Sequence, residues 1–474
     1  MPAFAEESHE NTPAQQMSEL PPVPAPVPAP VPVATAAAAD TATFTVDSPA
    51  PARVPDPVIP ATAAAAPAPV PTSVPVKPVT APKPAPVTAA VRPRNMFFED
   101  VIGLSEELFQ STSGFKKVNI KKESEDFFIE VEKRKYCCGH CSEVSLATLR
   151  EGVTPKIATN TFSVIEAGDA NPASLAFVDV GRLQANPKNC WAVFQVASNF
   201  NALETLGADD AIPNISKYFT DKTQGPFASI SAAPGLIYRH YYYYFNKAGH
   251  DVPETWRQRP QVPQDLDSMR NHNCAYQINF LSDLGVQTQN GYVIAGVEKL
   301  TNFEVNSGRF KVLYHHNIQV TFGRVLGINH AICEDPNQRI DQIFTAALCL
   351  KPGGGTVAHG VTLNNAEFVL QCDYEATLRA AVRYGRRVNG RVKVFLTRVG
   401  GGVFGNPQNM IDAAIIRAVN LQDLQDCGLD IILNNYRTIN YAQHGSRDDL
   451  FALVKAHNGA YKVYINGVSQ NIAQ

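Results

Sequence analysis

The sequence predicts an α/β fold in three layers, a mixed sheet flanked by helices, preceded by a disordered tail. Short apolar runs typical of buried strands alternate with segments of helical spacing. Hydrophobic residues make up 45% of the 474 residues, enough to bury a large core. The first quarter of the chain is instead rich in proline and alanine, with almost no aromatic residues. These observations place the start of the folded region near Asn95.

Residues 1–94 hold most of the 35 prolines, alternating with alanine and valine. Such a composition buries too little apolar surface to offset ordering entropy, so we expect an extended, disordered tail that can bind other proteins. The chain start lacks the basic and apolar regions of a secretory signal, and no apolar run is long enough to span a membrane. With nine scattered cysteines, the sequence predicts an intracellular protein, cytoplasmic or nuclear.

Residues 95–174 are predicted to form an N-terminal extension packed on the core. Apolar residues recur at helical spacing from Phe97 to Phe109, and residues 127–131 alternate as in a strand. The mixed charges between Lys116 and Lys135 indicate a solvated face. Because the net charge is −3, the sequence argues against a nucleic-acid partner.

A metal site is considered at residues 137–141, where three cysteines and His140 lie at short spacing. Structural zinc sites normally combine two such groups, and the remaining cysteines are single. We therefore predict buried or incidental thiols, no metal site and no cofactor.

Strand-like and helix-like segments alternate in the main domain, residues 175–436, which is interrupted by a predicted insertion at about 240–362. Residues 437–474 are predicted to form a C-terminal extension. The predicted strands are 176–180, 191–196, 310–314, 318–322, 391–397 and 429–433. Residues 220–230 are predicted to be a polar turn that runs into a helix with Pro226 in its first turn, and two further helices are predicted at 375–382 and 410–419.

The run of tyrosines 241–244 is predicted to be a strand with side chains on both faces. Packing is the favoured role for these rings. An aromatic platform for adenine or a nucleic-acid base is the alternative.

The most informative segment is 394–407, where a strand leads into a triple-glycine loop and a helix-like segment follows. Glycines let the backbone approach an anion and turn its N–H groups inward, while a helix start adds unsatisfied donors and a positive dipole end. The loop therefore predicts a phosphate site. A tight turn without a ligand is the alternative.

Four segments in order resemble the ligand loops of macrodomains, the ADP-ribose-binding modules. Residues 178–180 resemble the early aspartate motif, and 193–201 the strand leading into the asparagine loop. Residues 224–230 resemble the first phosphate loop, with one glycine where many members have more. Residues 397–407 resemble the second phosphate loop.

The resemblance implies an ADP-ribose site. In it, Asp179 selects adenine, Phe404 covers the distal ribose, and the backbone amides of two loops bind the diphosphate. The implied ligand-binding residues are Asp179, Val180, Asp221, Gln224, Gly225, Gly400, Gly401, Gly402, Val403, Phe404, Gly405 and Asn406. If ADP-ribosyl linkages are hydrolysed, the water is expected to be oriented by Asn199, Asn201 or an acid, with Glu204 and Asp221 the nearest in sequence.

Two functions remain open at this point. The first is an ADP-ribosyl hydrolase. The second is a non-catalytic module that recognises ADP-ribose or an ADP-ribosylated protein. A structural or interaction domain in which the glycine loop is only a turn is a third alternative.

Overall fold

The computed structural model describes residues 97–109, 117–152, 155–209, 214–221, 223–243, 280–323, 331–439 and 447–473. The predicted tail, residues 1–94, lies outside these ranges. None of the described helices is both long and apolar enough to cross a bilayer.

Within these ranges the main sheet has eleven strands, and helices cover it on two faces. The sheet order is β1-β2-β3-β8-β11-β5-β12-β13-β4-β14-β15. The strands are β1 Asn119–Glu123, β2 Asp126–Val131, β3 Arg134–Ser145, β4 Thr161–Ala167, β5 Val193–Ala197, β8 Lys311–Gln319, β11 Arg339–Thr345, β12 Val392–Leu396, β13 Leu429–Asn435, β14 Tyr461–Ile465 and β15 Val468–Ala473. Two short hairpins stand apart from it: β6 Gln287–Gln289 with β7 Tyr292–Ala295, and β9 Phe322–Gly323 with β10 Ala331–Ile332.

The helices are α1 Phe97–Ile102, α2 Glu106–Phe109, α3 Leu146–Arg150, α4 Pro172–Leu175, α5 Val180–Ala185, α6 Gln224–Ser231, α7 Ala233–Tyr241, α8 Phe303–Asn306, α9 Leu363–Tyr384, α10 Gln408–Val419 and α11 Asp448–Ala456. Neighbouring residues of β8 show that α7 and α9 lie on opposite faces of the sheet. His315 contacts Tyr238 of α7, whereas His316 contacts Tyr384 of α9. Because side chains alternate along a strand, the sheet is sandwiched between helices.

The centre of the sheet is parallel and its flanks are antiparallel. β11, β5, β12, β13, β4 and β14 run parallel to one another. β8, β3, β2 and β1 extend the sheet antiparallel on one side, and β15 does so on the other. The predicted mixed α/β sheet flanked by helices is confirmed.

Two predicted strands are not strands in the structure, because residues 176–178 form a turn between α4 and α5, and Tyr241 is the last residue of α7. In residues 176–180, Asp179 is the N-cap of α5, and its side chain accepts a hydrogen bond from the N–H of Arg182. The short apolar run there is consistent with either element, and the capping aspartate decides for a helix. In the tyrosine run, α7 ends at Tyr241, and both Tyr241 and Tyr242 are buried. Tyr244 lies outside the described residues.

The predicted extensions and insertion all contribute to the main sheet. β1–β4 come from residues 95–174, and β14 and β15 come from 437–474. β8 and β11 come from the segment 240–362, and β11 pairs directly with β5. β8 and β11 of that segment are therefore integral to the sheet.

Candidate functional site

Three loops meet at the carboxyl edge of the parallel strands. They follow β11, β5 and β12, which are neighbours in the sheet. In open α/β sheets, ligands bind at this edge. We name residues 198–208 the Asn loop, residues 346–362 the first glycine loop, and residues 397–407 the second glycine loop.

The second glycine loop is held in shape by Asn406. Its Nδ2 donates to the carbonyl oxygens of Leu348, at 2.8 Å, and Gly400, at 3.3 Å. Gly400 and Gly405 have φ angles of +71° and +74°, in the left-handed region that favours glycine. Asn406 is therefore an anchor that joins the two glycine loops.

The tip of the second glycine loop offers backbone donors. Across the described chain, the N–H groups of Gly402, Val403 and Phe404 donate no hydrogen bond to protein. A Cβ added at Gly402 would meet open space. Helix α10 begins at Gln408, and no side chain caps its N-terminus. Consecutive N–H groups beside a helix start are an arrangement that binds anions.

A second triple glycine, residues 353–355, lies in the first glycine loop and was not among the predicted site residues. The N–H of Leu350 donates to the carbonyl of Phe404 at 2.8 Å, and a Cβ at Gly354 would overlap the carbonyl oxygen of Val403. The two glycine loops are therefore in direct backbone contact. The signal was visible, because a Pro-Gly-Gly-Gly run follows an apolar strand and precedes a long helix.

The Asn loop uses its two predicted asparagines to fix its own backbone. Nδ2 of Asn199 donates to Oγ1 of Thr205 at 2.8 Å, and Oδ1 of Asn201 accepts from the N–H of Leu203 at 3.1 Å. Both asparagines are buried. Their side chains lie close to Gly291, in the turn between β6 and β7.

The buried guanidinium of Arg239 donates a hydrogen bond to the backbone of the Asn loop. Its Nε donates to the carbonyl of Ala202 at 2.9 Å, and the group lies 3.9 Å from the centre of the Phe344 ring. Arg239 therefore positions the Asn loop.

The β6–β7 hairpin closes the space between the three loops. The hydroxyl of Tyr292 donates to the carbonyl of Thr205 at 2.8 Å, and its ring centre lies 5.8 Å from that of Phe404. A cavity of about 10 Å³ remains, room for about one water molecule. It is lined by Phe200, Gly291, Tyr292, Val293, Ala347, Leu348, Cys349, Thr356, Ala358, Val361 and Phe404.

The predicted first phosphate loop, at the start of α6, is occupied by protein groups. The side chain of Gln224 accepts from the N–H of Ala197 at 2.9 Å and donates to the carbonyl of Gln195 at 2.9 Å. A Cβ at Gly225 would overlap the carbonyl oxygen of Ala197 and the carboxyl group of Glu204. Gln224 and Gly225 therefore attach α6 closely to β5.

Two acids surround this helix start. Burial raises the pKa of Glu204 well above its usual value, and the charge of Asp221 raises it further, whereas Arg239 opposes the shift. Oδ1 of Asp221 accepts from the N–H of Thr223 at 2.7 Å. The carboxyl group of Glu204, packed against Gly225, leaves no room for an anion at the start of α6.

Asp179 and Val180 lie at the start of α5 and do not line the cavity between the loops. Both side chains are buried, and the carbonyl of Val178 accepts a hydrogen bond from Asn434 at the end of β13. The recognition of adenine by Asp179 and the ligand contact of Val180 stay predictions. In the part of the chain that the structure describes, no three His, Cys, Asp or Glu side chains are grouped so as to hold a metal ion.

No family model and no curated protein matches the chain. Among solved structures, the chain is similar to a poly(ADP-ribose) glycohydrolase from Thermomonospora curvata, with 14% identity, 62% of this chain and 79% of that chain covered, and a TM-score of 0.33. It is also similar to a poly(ADP-ribose) glycohydrolase from Deinococcus radiodurans in complex with ADP-ribose. There the identity is 11%, the coverage is 66% of this chain and 95% of that chain, and the TM-score is 0.31.

Proposed function

We propose that this protein binds ADP-ribose, or a related nucleotide diphosphate-ribose, at its two apposed glycine loops. The observation that carries the proposal is the row of N–H groups of Gly402, Val403 and Phe404 beside the uncapped start of α10. These donors fit a diphosphate, because backbone amides and a helix start bind anions without a lysine or arginine.

The ribose end of the ligand would lie between Phe404 and the Asn loop. The cavity there holds about 10 Å³, so the ligand requires the β6–β7 hairpin to move away. Tyr292 is the main obstacle, because its ring fills the space between Phe404 and Gly355. Binding would therefore combine phosphate capture at the exposed loop tip with displacement of the hairpin.

The cavity lining favours recognition of the ligand over hydrolysis. None of the eleven lining residues carries a carboxylate, and a hydrolase needs a group that orients or deprotonates water. In the catalytic alternative, Asn199, Asn201 and Glu204 would supply that group after the hairpin moves. Incubation with an ADP-ribosylated protein distinguishes the hydrolase from the non-catalytic module. The non-catalytic module binds the modified protein and releases no ADP-ribose from it over hours.

The binding site is tested by placing a charge at the loop tip. Gly402→Glu introduces a carboxylate where the Cβ has open space, so the fold is retained while phosphate is repelled. Calorimetric titration with ADP-ribose should show at least about 30-fold weaker binding, roughly 2 kcal/mol.

The matched control is Gly402→Gln, which has nearly the same shape and no charge. It should bind within about threefold of the natural chain. Equal affinities of the Glu and Gln variants for ADP-ribose would show that its phosphates do not bind at this loop. If the natural chain did not bind ADP-ribose at millimolar concentration, the proposed function would be wrong.

A further inference from the structure

A strip of positive charge lies at the amino edge of the sheet, opposite the glycine loops. β5 and β12 are parallel neighbours, so the segments that precede them, 185–192 and 385–391, lie side by side at this edge. Neither segment, and neither strand, contains an acid. We name their cations the basic edge: Lys188, Arg386, Arg387, Arg391 and Lys393. Although the net charge of the whole chain is −3, its charge is therefore unevenly distributed.

Side-chain contacts join the two segments of the basic edge. Nζ of Lys393 donates to the carbonyl of Lys188 at 2.8 Å. The side chains of Lys188 and Arg386 form no hydrogen bond and no ion pair with any described residue, and both residues are exposed. Their charged groups are therefore accessible to an anionic partner.

Acids border the basic edge on both sides. On one side, Asp426 precedes β13, and Asp430 is paired with Arg391 at 2.8 Å. On the other side, Glu334 and Asp335 precede β11. Because neighbouring strands lie about 4.8 Å apart, the positive strip between these acids is about 10 Å wide. One row of phosphates fits this strip, whereas the second row of a duplex would face the acids.

Trp191 adds an aromatic ring to the same strip. The guanidinium of Arg386 lies 3.9 Å from the centre of its ring, and the ring stacks on no other ring of the described chain. The residue is half-buried, and its φ of +67° is rare for a bulky side chain. Its N–H donates to the carbonyl of Arg339 at 2.6 Å, which holds this backbone in place. A fixed ring beside accessible cations is an arrangement on which bases stack.

We propose that the basic edge binds single-stranded nucleic acid. Lys188 and Arg386 contact phosphates, and one base stacks on the pair formed by Trp191 and Arg386. An acidic peptide matches the charge but has no planar base for this pair, so it is the weaker fit. The site is independent of ADP-ribose binding, since it lies at the other edge of the sheet.

Fluorescence anisotropy with a labelled 12-nucleotide oligothymidylate tests the partner. Two or three phosphate contacts should make the dissociation constant rise about tenfold between 50 and 200 mM salt. A 12-residue polyglutamate and a 12-base-pair duplex should each bind at least about fivefold more weakly in 50 mM salt. Equal binding of either competitor would overturn the proposal, and so would no oligonucleotide binding at 100 µM protein.

Three positions test the assigned residues. Lys188→Gln and Arg386→Gln should each weaken binding about three- to tenfold and make the salt dependence shallower. Trp191→Leu should weaken it about tenfold, whereas Trp191→Phe, which keeps a ring, should stay within about threefold of the natural chain. Lys217→Gln, at an exposed lysine that follows β5 at the other edge, should have no effect. With folding verified by thermal unfolding, unchanged affinity at all three positions would exclude this surface.

Tryptophan fluorescence distinguishes stacking from a purely structural role of Trp191. The chain has two tryptophans, and Trp256 lies outside the described residues. In a Trp256→Phe variant the emission comes from Trp191 alone. The oligonucleotide should quench this emission with the same midpoint as the anisotropy change, and polyglutamate should not. Oligonucleotide binding without quenching would show that no base stacks on Trp191.

Discussion

Two helices in this protein have glycines at or just before their starts at the same edge of the sheet, and only one of these starts is open. At the start of α6, Gly225 is pressed against β5, and Glu204 covers it. At the start of α10, Gly402 faces open space, and the neighbouring N–H groups donate to no described residue. Both segments resemble phosphate loops in sequence.

The difference shows that a glycine at or before a helix start can serve two purposes. Gly225 is required because a side chain would collide with the carbonyl of Ala197, and its φ is not in the left-handed region. Gly400 and Gly405 are required by their positive φ angles, which shape an exposed loop. Close packing removes the space that an anion needs, whereas a left-handed turn exposes donors.

The largest expected effect is a difference in the free energy of unfolding between a variant at the start of α6 and a variant before the start of α10. Gly225→Ala should lower the free energy of unfolding by about 3 kcal/mol, because its Cβ overlaps a backbone oxygen that cannot rotate away. Gly402→Ala should change it by no more than about 0.5 kcal/mol. Chemical denaturation of both variants measures the difference.

A similar loss in both variants would contradict the comparison. Gly225→Ala is informative even if it folds poorly, because a soluble yield far below that of Gly402→Ala leads to the same conclusion. If both variants unfold like the natural chain, α6 is not held close to β5 in solution.

The second effect concerns the cover over the open helix start. Tyr292→Phe keeps the ring and removes the hydrogen bond to the carbonyl of Thr205, which should cost about 1 kcal/mol. If the hairpin must open for ADP-ribose, the same loss makes opening easier. Affinity for ADP-ribose should therefore rise about fivefold by calorimetry.

Tyr461→Phe is the control for this prediction. It also removes a buried hydrogen bond, from the hydroxyl of Tyr461 to Glu166. These two residues lie in β14 and β4, away from β11, β5 and β12, whose loops form the candidate site. It should lower stability without changing the affinity. A Tyr292→Phe variant that binds ADP-ribose no better than the natural chain would mean that the hairpin does not limit binding.

Much of the fold could be predicted from local patterns. The strands at 193–197, 392–396 and 429–435 and the helix at 408–419 match their predicted positions, because each is a continuous apolar or periodic run. The residues 176–180 could not be assigned correctly, since a short apolar run is consistent with a strand or with a turn that leads into a helix. Asp179 is the N-cap of α5, and the periodicity of apolar residues does not show where a helix begins.

The site was harder to predict because it depends on which strands are neighbours. The contact between Gly354 and Val403 joins segments about fifty residues apart and requires β5 to lie between β11 and β12. Nothing in the sequence near Gly225 reveals that Glu204 folds back onto it. Short-range patterns therefore locate the loops, whereas the pairing of strands decides which of them are open.

The smallest effect is a pH dependence at the closed helix start. The pKa of Glu204 is raised in the folded protein by burial and then by Asp221, so the folded state holds this proton more tightly than the unfolded state. As the pH rises above the ordinary value of 4.5, the unfolded state loses the proton first, and stability falls until the folded pKa is passed. Glu204→Gln removes this fall, because glutamine does not titrate.

The free energy of unfolding, measured from pH 4 to pH 8, should therefore increase in Glu204→Gln relative to the natural chain as the pH rises. Glu375→Gln provides the opposite sign. Although burial raises its pKa, hydrogen bonds from Arg150 and Arg417 lower it to about 2, so its charged form stabilises the fold above pH 4.5. That variant should lose stability relative to the natural chain as the pH rises. If Glu204→Gln differed from the natural chain by the same amount at every pH, the carboxyl group of Glu204 would be solvated, and the start of α6 would not be closed.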